Sequence, residues 1–229
     1  MPPDVPAGPT TSDRESATVD LDALAGAVTA ALPALGATER RLALATYAQL
    51  SAGLPATADA VARRVGLPET EVANQLARLP TARHDAGAVV AFLGLQLAPT
   101  VHRIRFAGLE VATWCAWDTL FLPALVGWTA VITSRCPVTG TAITLELDPV
   151  SGIADLAPAT ARLTFLAAPA PYAGNLVASF CRFVHFVADE HAADAFLAKA
   201  AGNDGERLVT LRLEDGLELG RRTNARIFG

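Results

Sequence analysis

Apolar side chains recur at helical spacing from Val19 onward, at Leu21, Leu24, Val28, Leu32 and Leu35, and predict an amphipathic helix that Pro33 ends or bends. Thr38-Glu39-Arg40-Arg41 opens a second helix carrying Leu42, Ala45 and Leu50, which Gly53 and Pro55 stop. Residues 57–65 and 69–79 read as two short helices joined by Gly66-Leu67-Pro68, the spacing of a helix-turn-helix. Residues 89–92 and 93–97, turning at Gly94, then predict the paired strands of a wing, so that 18–99 forms a winged-helix-like domain. Its second helix opens with Glu69 and Glu71, where a DNA-reading helix would meet phosphates. The preferred role of this unit is therefore packing, or one wall of a pocket.

Alternation over 101–106, with Val101, Arg103 and Arg105 against His102, Ile104 and Phe106, predicts a strand leading into the apolar run 113–125. That run reads as one helix ended by Gly127. A hairpin comes next, with strands at 129–134 and 142–147 around the turn 135–140. Residues 148–161, with their Pro and Gly, read as loop, and 162–166 as a strand. Past the break at Pro169-Ala170-Pro171, Asn175 caps a short helix that delivers Phe180 and Cys181. A strand over 182–187, a helix over 191–201, a strand over 207–213 and a final helix over 217–227 complete the chain. This order argues for an α+β domain at 100–229, built on an antiparallel or mixed sheet, and against a doubly wound one.

The chain has 229 residues, 52% of them hydrophobic, and a mean hydropathy of +0.34, ample for a folded core. A net charge of -5 leaves no field to hold a polyanion, so nucleic acid is not an expected partner. The apolar runs are too short to cross a bilayer, which takes roughly 20 residues, so no membrane is expected either. Residues 1–17 are rich in Pro, Gly, Ser, Thr and Asp and predict a mobile tail without the features of a secretory signal, which makes the expected location cytoplasmic. Three cysteines, an odd number, suggest reduced thiols and no disulfide framework.

Those thiols carry the candidate chemistry. Within 113–125 a thiol, Cys115, and a carboxyl, Asp118, stand three residues apart among Trp114, Trp117 and Phe121. On a helix, that spacing puts both on one face. Aromatic surroundings desolvate the carboxyl and favour its neutral acid form, a proton donor. Adding Cys181 gives two thiols and one carboxyl, a set suited to a soft metal. Structural zinc is disfavoured, because no Cys-x-x-Cys pair occurs, although His185 could supply a ligand.

Three segments together, 114–127 (Trp114-Cys115-Ala116-Trp117-Asp118 and onward), 129–140 with Ser134-Arg135-Cys136-Pro137, and 179–186 with Phe180-Cys181-Arg182-Phe183, resemble the organomercurial (alkylmercury) lyases. The resemblance runs from about Thr100 to near the C-terminus. It implies protonolysis of a carbon–mercury bond, giving a hydrocarbon and Hg²⁺. Cys115 and Cys181 match the family's mercury-binding thiols and Asp118 its proton-handling carboxylate, while the counterpart of Cys136 is structural. It further implies an organomercurial substrate, no resident cofactor, low-molecular-weight thiols to carry product away, and a mercuric reductase to receive it. Two positions depart from the family pattern: Trp117 is bulky and narrows the pocket toward smaller substrates, and Arg182 stands where some members carry another cysteine. The alternative reading is a mercury or copper sensor or carrier, with or without a winged-helix regulator, that binds metal through the same thiols and cleaves nothing. His84, His102 and His191 read as surface or satisfied polar groups, and His185 as a hydrogen-bonded structural histidine.

Overall fold

The computed structural model describes residues 19–169, 174–200 and 207–229. The expected tail lies outside them. Helix α1 (Leu21–Ala31) begins where the Asp20 carboxylate accepts from the N–H groups of Asp22 and Ala23, both at 3.0 Å. Helix α2 (Ala37–Ser51) begins where Glu39 reaches back to the Gly36 N–H at 2.6 Å. Thr57 caps α3 (Ala58–Val65), and Gly66, at φ +70°, turns the chain toward α4 (Glu69–Arg78).

The strands expected as a wing do pair, β2 (Ala88–Phe92) with β3 (Leu95–Gln96), and β1 (Arg83–Asp85) pairs with β2 on its other side. They continue into a larger ladder. With β4 (Arg103–Phe106), β5 (Leu109–Thr113), β6 (Ala130–Arg135), β7 (Ala142–Asp148) and β8 (Gly152–Ala157) they form one eight-stranded sheet, in the order β1-β2-β3-β5-β4-β6-β7-β8. A second sheet has β9 (Arg162–Leu166) between β10 (Phe186–Val187) and β11 (Leu208–Leu211). Among the described residues the strand pairs are antiparallel, and with the helices this makes the α+β architecture that the element order predicts.

Three expectations need correction. The apolar run 113–125 is not one helix: Thr113 ends β5, residues 114–117 turn, and α5 (Asp118–Val126) starts only at Asp118. Pairing decides this, because β5 is hydrogen-bonded to β3 on one side and β4 on the other. The loop expected over 148–161 contains β8, since the Asp148 carboxylate accepts from the N–H groups of Val150 and Ser151, both at 2.9 Å, and closes a tight β7–β8 turn. The strand expected over 182–187 is mostly a 3-10 turn, Cys181–Phe183, with only Phe186 and Val187 in β10. There the Thr164 hydroxyl donates to the Phe183 carbonyl at 2.8 Å and accepts from the His185 N–H at 3.1 Å.

Helix α6 (Leu176–Ser179), capped by Asn175, leads into that turn, and α7 (Glu190–Ala200) lies beyond it. The last helix, α8 (Leu213–Phe228), packs on α1 and α5, and a Cβ at Gly220 would stand 2.7 Å from the Phe121 Cβ. Among the described residues no helix is long and apolar enough to cross a membrane.

Candidate active site

Cys115 sits in the turn between β5 and α5, Asp118 is the first residue of α5, and Cys181 opens the 3-10 turn beyond α6. Their ligand atoms lie within 4.8 Å of one another, so residues 66 positions apart in the chain meet in space. The turn that holds Cys115 is pinned by three hydrogen bonds. Trp114 N–H donates to Gly94 O at 2.8 Å and Ala116 N–H to Val184 O at 3.1 Å, while the Thr113 hydroxyl donates to the Cys115 carbonyl at 2.9 Å.

All three groups are buried, but not equally placed. Asp118 and Cys181 line an apolar pocket with Tyr47, Trp114, Trp117 and Phe180, whereas Cys115, at 0% exposure, stands behind that lining. Trp117 is fixed by its indole N–H donating to Gly216 O at 2.9 Å and by edge contact with Phe165 at 5.2 Å between centroids.

Burial sets the proton chemistry. It pushes the Asp118 carboxyl up to about 7, against hydrogen bonds from Cys115 and the Trp114 N–H that favour its ionised form. One of these, from the Cys115 N–H to Oδ2, is 2.7 Å long. The Cys115 thiol is also pushed well up, by burial first, then by hydrogen bonding with Cys181 and by the Asp118 charge. A neutral thiol beside a carboxyl that titrates near neutrality is a proton donor beside a proton carrier.

Two residues that sequence reading left out shape this site. Gly94, read only as a turn residue, has φ +96°, and a Cβ there would lie 2.5 Å from Asp118 Oδ1. Tyr47, in α2, lines the pocket and donates its hydroxyl to Leu93 O at 2.9 Å, which holds the Leu93-Gly94 turn in place. A tyrosine at a core position of a helix gives no sequence signal of this kind.

The remaining candidates stand apart. Cys136 is buried outside the three-residue cluster, and although burial opposes it, hydrogen bonds from Thr139 hold its thiol below the usual value. His185 is not a member of that cluster either; its Nε2–H donates to Arg182 O at 2.9 Å. His102, expected to be satisfied, is buried and hydrogen-bonded to Ser134 at 2.8 Å, and burial together with the nearby His185 lowers it to about 3. Arg182 lies over the Phe183 ring, 4.4 Å from its centroid.

The fold and this cluster define an α+β protein with two buried sulfurs and a carboxyl, donors of the kind that suit a soft metal, beside an apolar pocket. The alkylmercury lyase family profile matches residues 95–224, more than half of the chain. An alkylmercury lyase of Staphylococcus epidermidis is 35% identical over 177 residues, 77% of this chain and 78% of that protein. One of Pseudomonas putida is 36% identical over 169 residues, 74% and 77% of the two chains. The chain belongs to the alkylmercury lyase family. Among solved structures, the mercury-bound form of MerB2 matches with a TM-score of 0.70 and 21% identity, over 90% of this chain and 98% of that one, which is a likeness of fold.

Proposed function

We propose that this chain is an organomercurial lyase, splitting the carbon–mercury bond of R–Hg⁺ into a hydrocarbon and Hg²⁺ through Cys115, Asp118 and Cys181. One observation carries the reading: a carboxyl that burial pushes up to about 7 lies within 4.8 Å of two thiol sulfurs, beside an apolar pocket that it lines with one of them. One thiol displaces the small thiolate that carries R–Hg⁺ in, binding mercury as thiolate while its proton leaves on that displaced thiolate. The second does the same, with Asp118 as the acceptor of that proton. Two thiolates on mercury push electron density onto the carbon, and Asp118 returns its proton there, so that R–H leaves and Hg²⁺ stays on the two sulfurs. Proton delivery of this kind contributes typically 10²- to 10⁴-fold; thiolate coordination supplies the rest.

Mercury is here substrate and product, and the chemistry requires no resident cofactor. Low-molecular-weight thiols exchange the metal off the two cysteines, and a mercuric reductase is the class of enzyme that consumes it. A thiol-rich cytoplasm suits that exchange. The winged-helix-like segment 18–99 serves as a wall of the pocket, a role supported by Val28, Ala31, Leu32 and Tyr47 in its lining.

The test is incubation of the purified protein with phenylmercury and excess thiol, with headspace measurement of benzene. Benzene from the wild type, and mercury capture without benzene from Asp118→Ala, is the expected pair of results. Capture without benzene from the wild type itself would make the protein a carrier.

A further inference from the structure

A second cavity, about 130 Å³, lies beside the apolar pocket and shares Trp114 and Leu176 with it as wall. Its chemistry is the opposite of its neighbour's. Its polar lining residues are Thr81, Arg83, Trp114 and Asn175, and no Asp or Glu lines it among the described residues. The Trp114 indole N–H and the Thr81 hydroxyl are both buried without a hydrogen-bond partner. A buried donor left unpaired costs about 1–3 kcal/mol, so two beside one cavity favour whatever polar group, water or ligand, can reach them. The Arg83 guanidinium lies over the same indole, 5.2 Å from its centroid, which brings a positive charge to the same wall. Asn175 already uses its amide oxygen to accept from the Ala178 N–H at 3.1 Å, so the NH₂ group is what it has left to offer. Thr81 is also held at φ +66°, a conformation that β-branched residues avoid and that clusters at ligand sites.

We propose that this cavity is a carboxylate subsite, which takes the acid group of a ligand bound to mercury. The proposal rests on the lyase reading for the identity of the metal. A planar carboxylate satisfies the guanidinium fork and the indole N–H together, and the hydroxyl completes the shell. The apolar pocket has few polar atoms to offer such a group. Because Trp114 and Leu176 line both spaces, a ligand whose sulfur or carbon sits on mercury extends its acid end past them. That acid end belongs either to the organic group or to the thiol that exchanges onto the metal.

The experiment separates these sources. With mercaptoethanol as thiol, kcat/KM for 4-carboxyphenylmercury is compared with that for phenylmercury. With phenylmercury as substrate, turnover at equal low concentrations of mercaptoacetate and mercaptoethanol is compared. Each ratio is measured for the wild type, Arg83→Gln and Trp114→Phe. Arg83 is exposed on the short edge strand β1, and Phe keeps the aromatic ring while removing the N–H. The expected result is an acid-over-neutral preference of roughly tenfold in one arm, lost in both variants, which also names the source of the acid. Ratios that do not differ between the wild type and Arg83→Gln in either arm would overturn the subsite and leave Arg83 as a strap over the indole. If no substrate yields hydrocarbon, the lyase reading fails; the relative capture affinities for the same two mercurials then decide the subsite by the same criterion.

Discussion

The backbone of Gly94 lies against the carboxyl of Asp118, so closely that a Cβ at position 94 would stand 2.5 Å from Oδ1 and 2.6 Å from Cγ. The hairpin turn that carries Gly94 thus forms one side of the carboxyl's seat. Leu93 beside it has φ +33°, a conformation better suited to glycine or asparagine.

Gly94→Ala should move the carboxyl and strain the turn at once. The expected outcome is a loss of about 1–3 kcal/mol of stability and a fall of roughly 10²-fold in hydrocarbon release, as displacement of a reacting group by about an ångström does elsewhere. Chemical denaturation and benzene release measure the two. Turnover equal to the wild type would show that the carboxyl has room to shift without cost.

Tyr47→Phe removes one hydroxyl and keeps the ring against Phe92, whose centroid is 5.2 Å away. It leaves the Leu93 carbonyl, part of the same turn, without this partner. A loss of about 1–2 kcal/mol in stability is expected, with a smaller loss of turnover than Gly94→Ala causes. Urea unfolding of the pair of variants checks the order.

Turnover should depend on pH through Asp118. The free protein must hold this carboxyl ionised to receive a thiol proton, so kcat/KM should rise as pH passes about 7. A profile of phenylmercury turnover that is flat from about pH 5.5 to about pH 8.5 would separate the rate from this carboxyl.

The same shift makes a statement about folding. An aspartate titrates near 3.9 when unfolded and about 7 here, so between these values the folded state binds the proton more tightly. Stability therefore falls as pH rises through that window, with a cost approaching ~4 kcal/mol fully present above it. Asp118→Asn removes the charge and retains the acceptor for the Cys115 N–H. It should gain stability over the wild type at about pH 8.5 and little at about pH 4.5, by thermal unfolding, while abolishing turnover.

Cys136→Ser tests the division among the thiols. Cys136 is 1% exposed and its Sγ accepts from the Thr139 N–H at 3.5 Å, away from the cluster of three. A loss of about 1–2 kcal/mol with turnover within about threefold is expected, whereas Cys181→Ser should stop cleavage. The reverse pattern would reassign the site.

The residue sequence carried much of this in local terms. Helical periodicity placed α1 and α2, the cap at Asn175 placed one helix start, and Gly127 marked the end of α5 at φ +74°. The pairing of Cys115 with Asp118 was visible too, although for a different reason. The expected helical face is absent, and the two meet because the Cys115 N–H donates to the carboxylate across a turn. Strand β5 is hidden in the sequence because its apolar residues run straight into those of α5. Strand β8 is hidden because Asp148, Ser151 and Gly152 look like loop until β7 pairs with residues 152–157.

What the sequence determined by itself is what needs only neighbours along the chain: helix ends, turns, the residue types of the site and the motifs that mark the family. Tertiary structure alone decided how far the carboxyl is desolvated, which sulfur faces the pocket, and that Gly94 and Tyr47 belong to the site at all. These depend on burial and on contacts between elements distant in sequence. A proton affinity near neutrality is a property of the surroundings that folding assembles, and no spacing of letters encodes it.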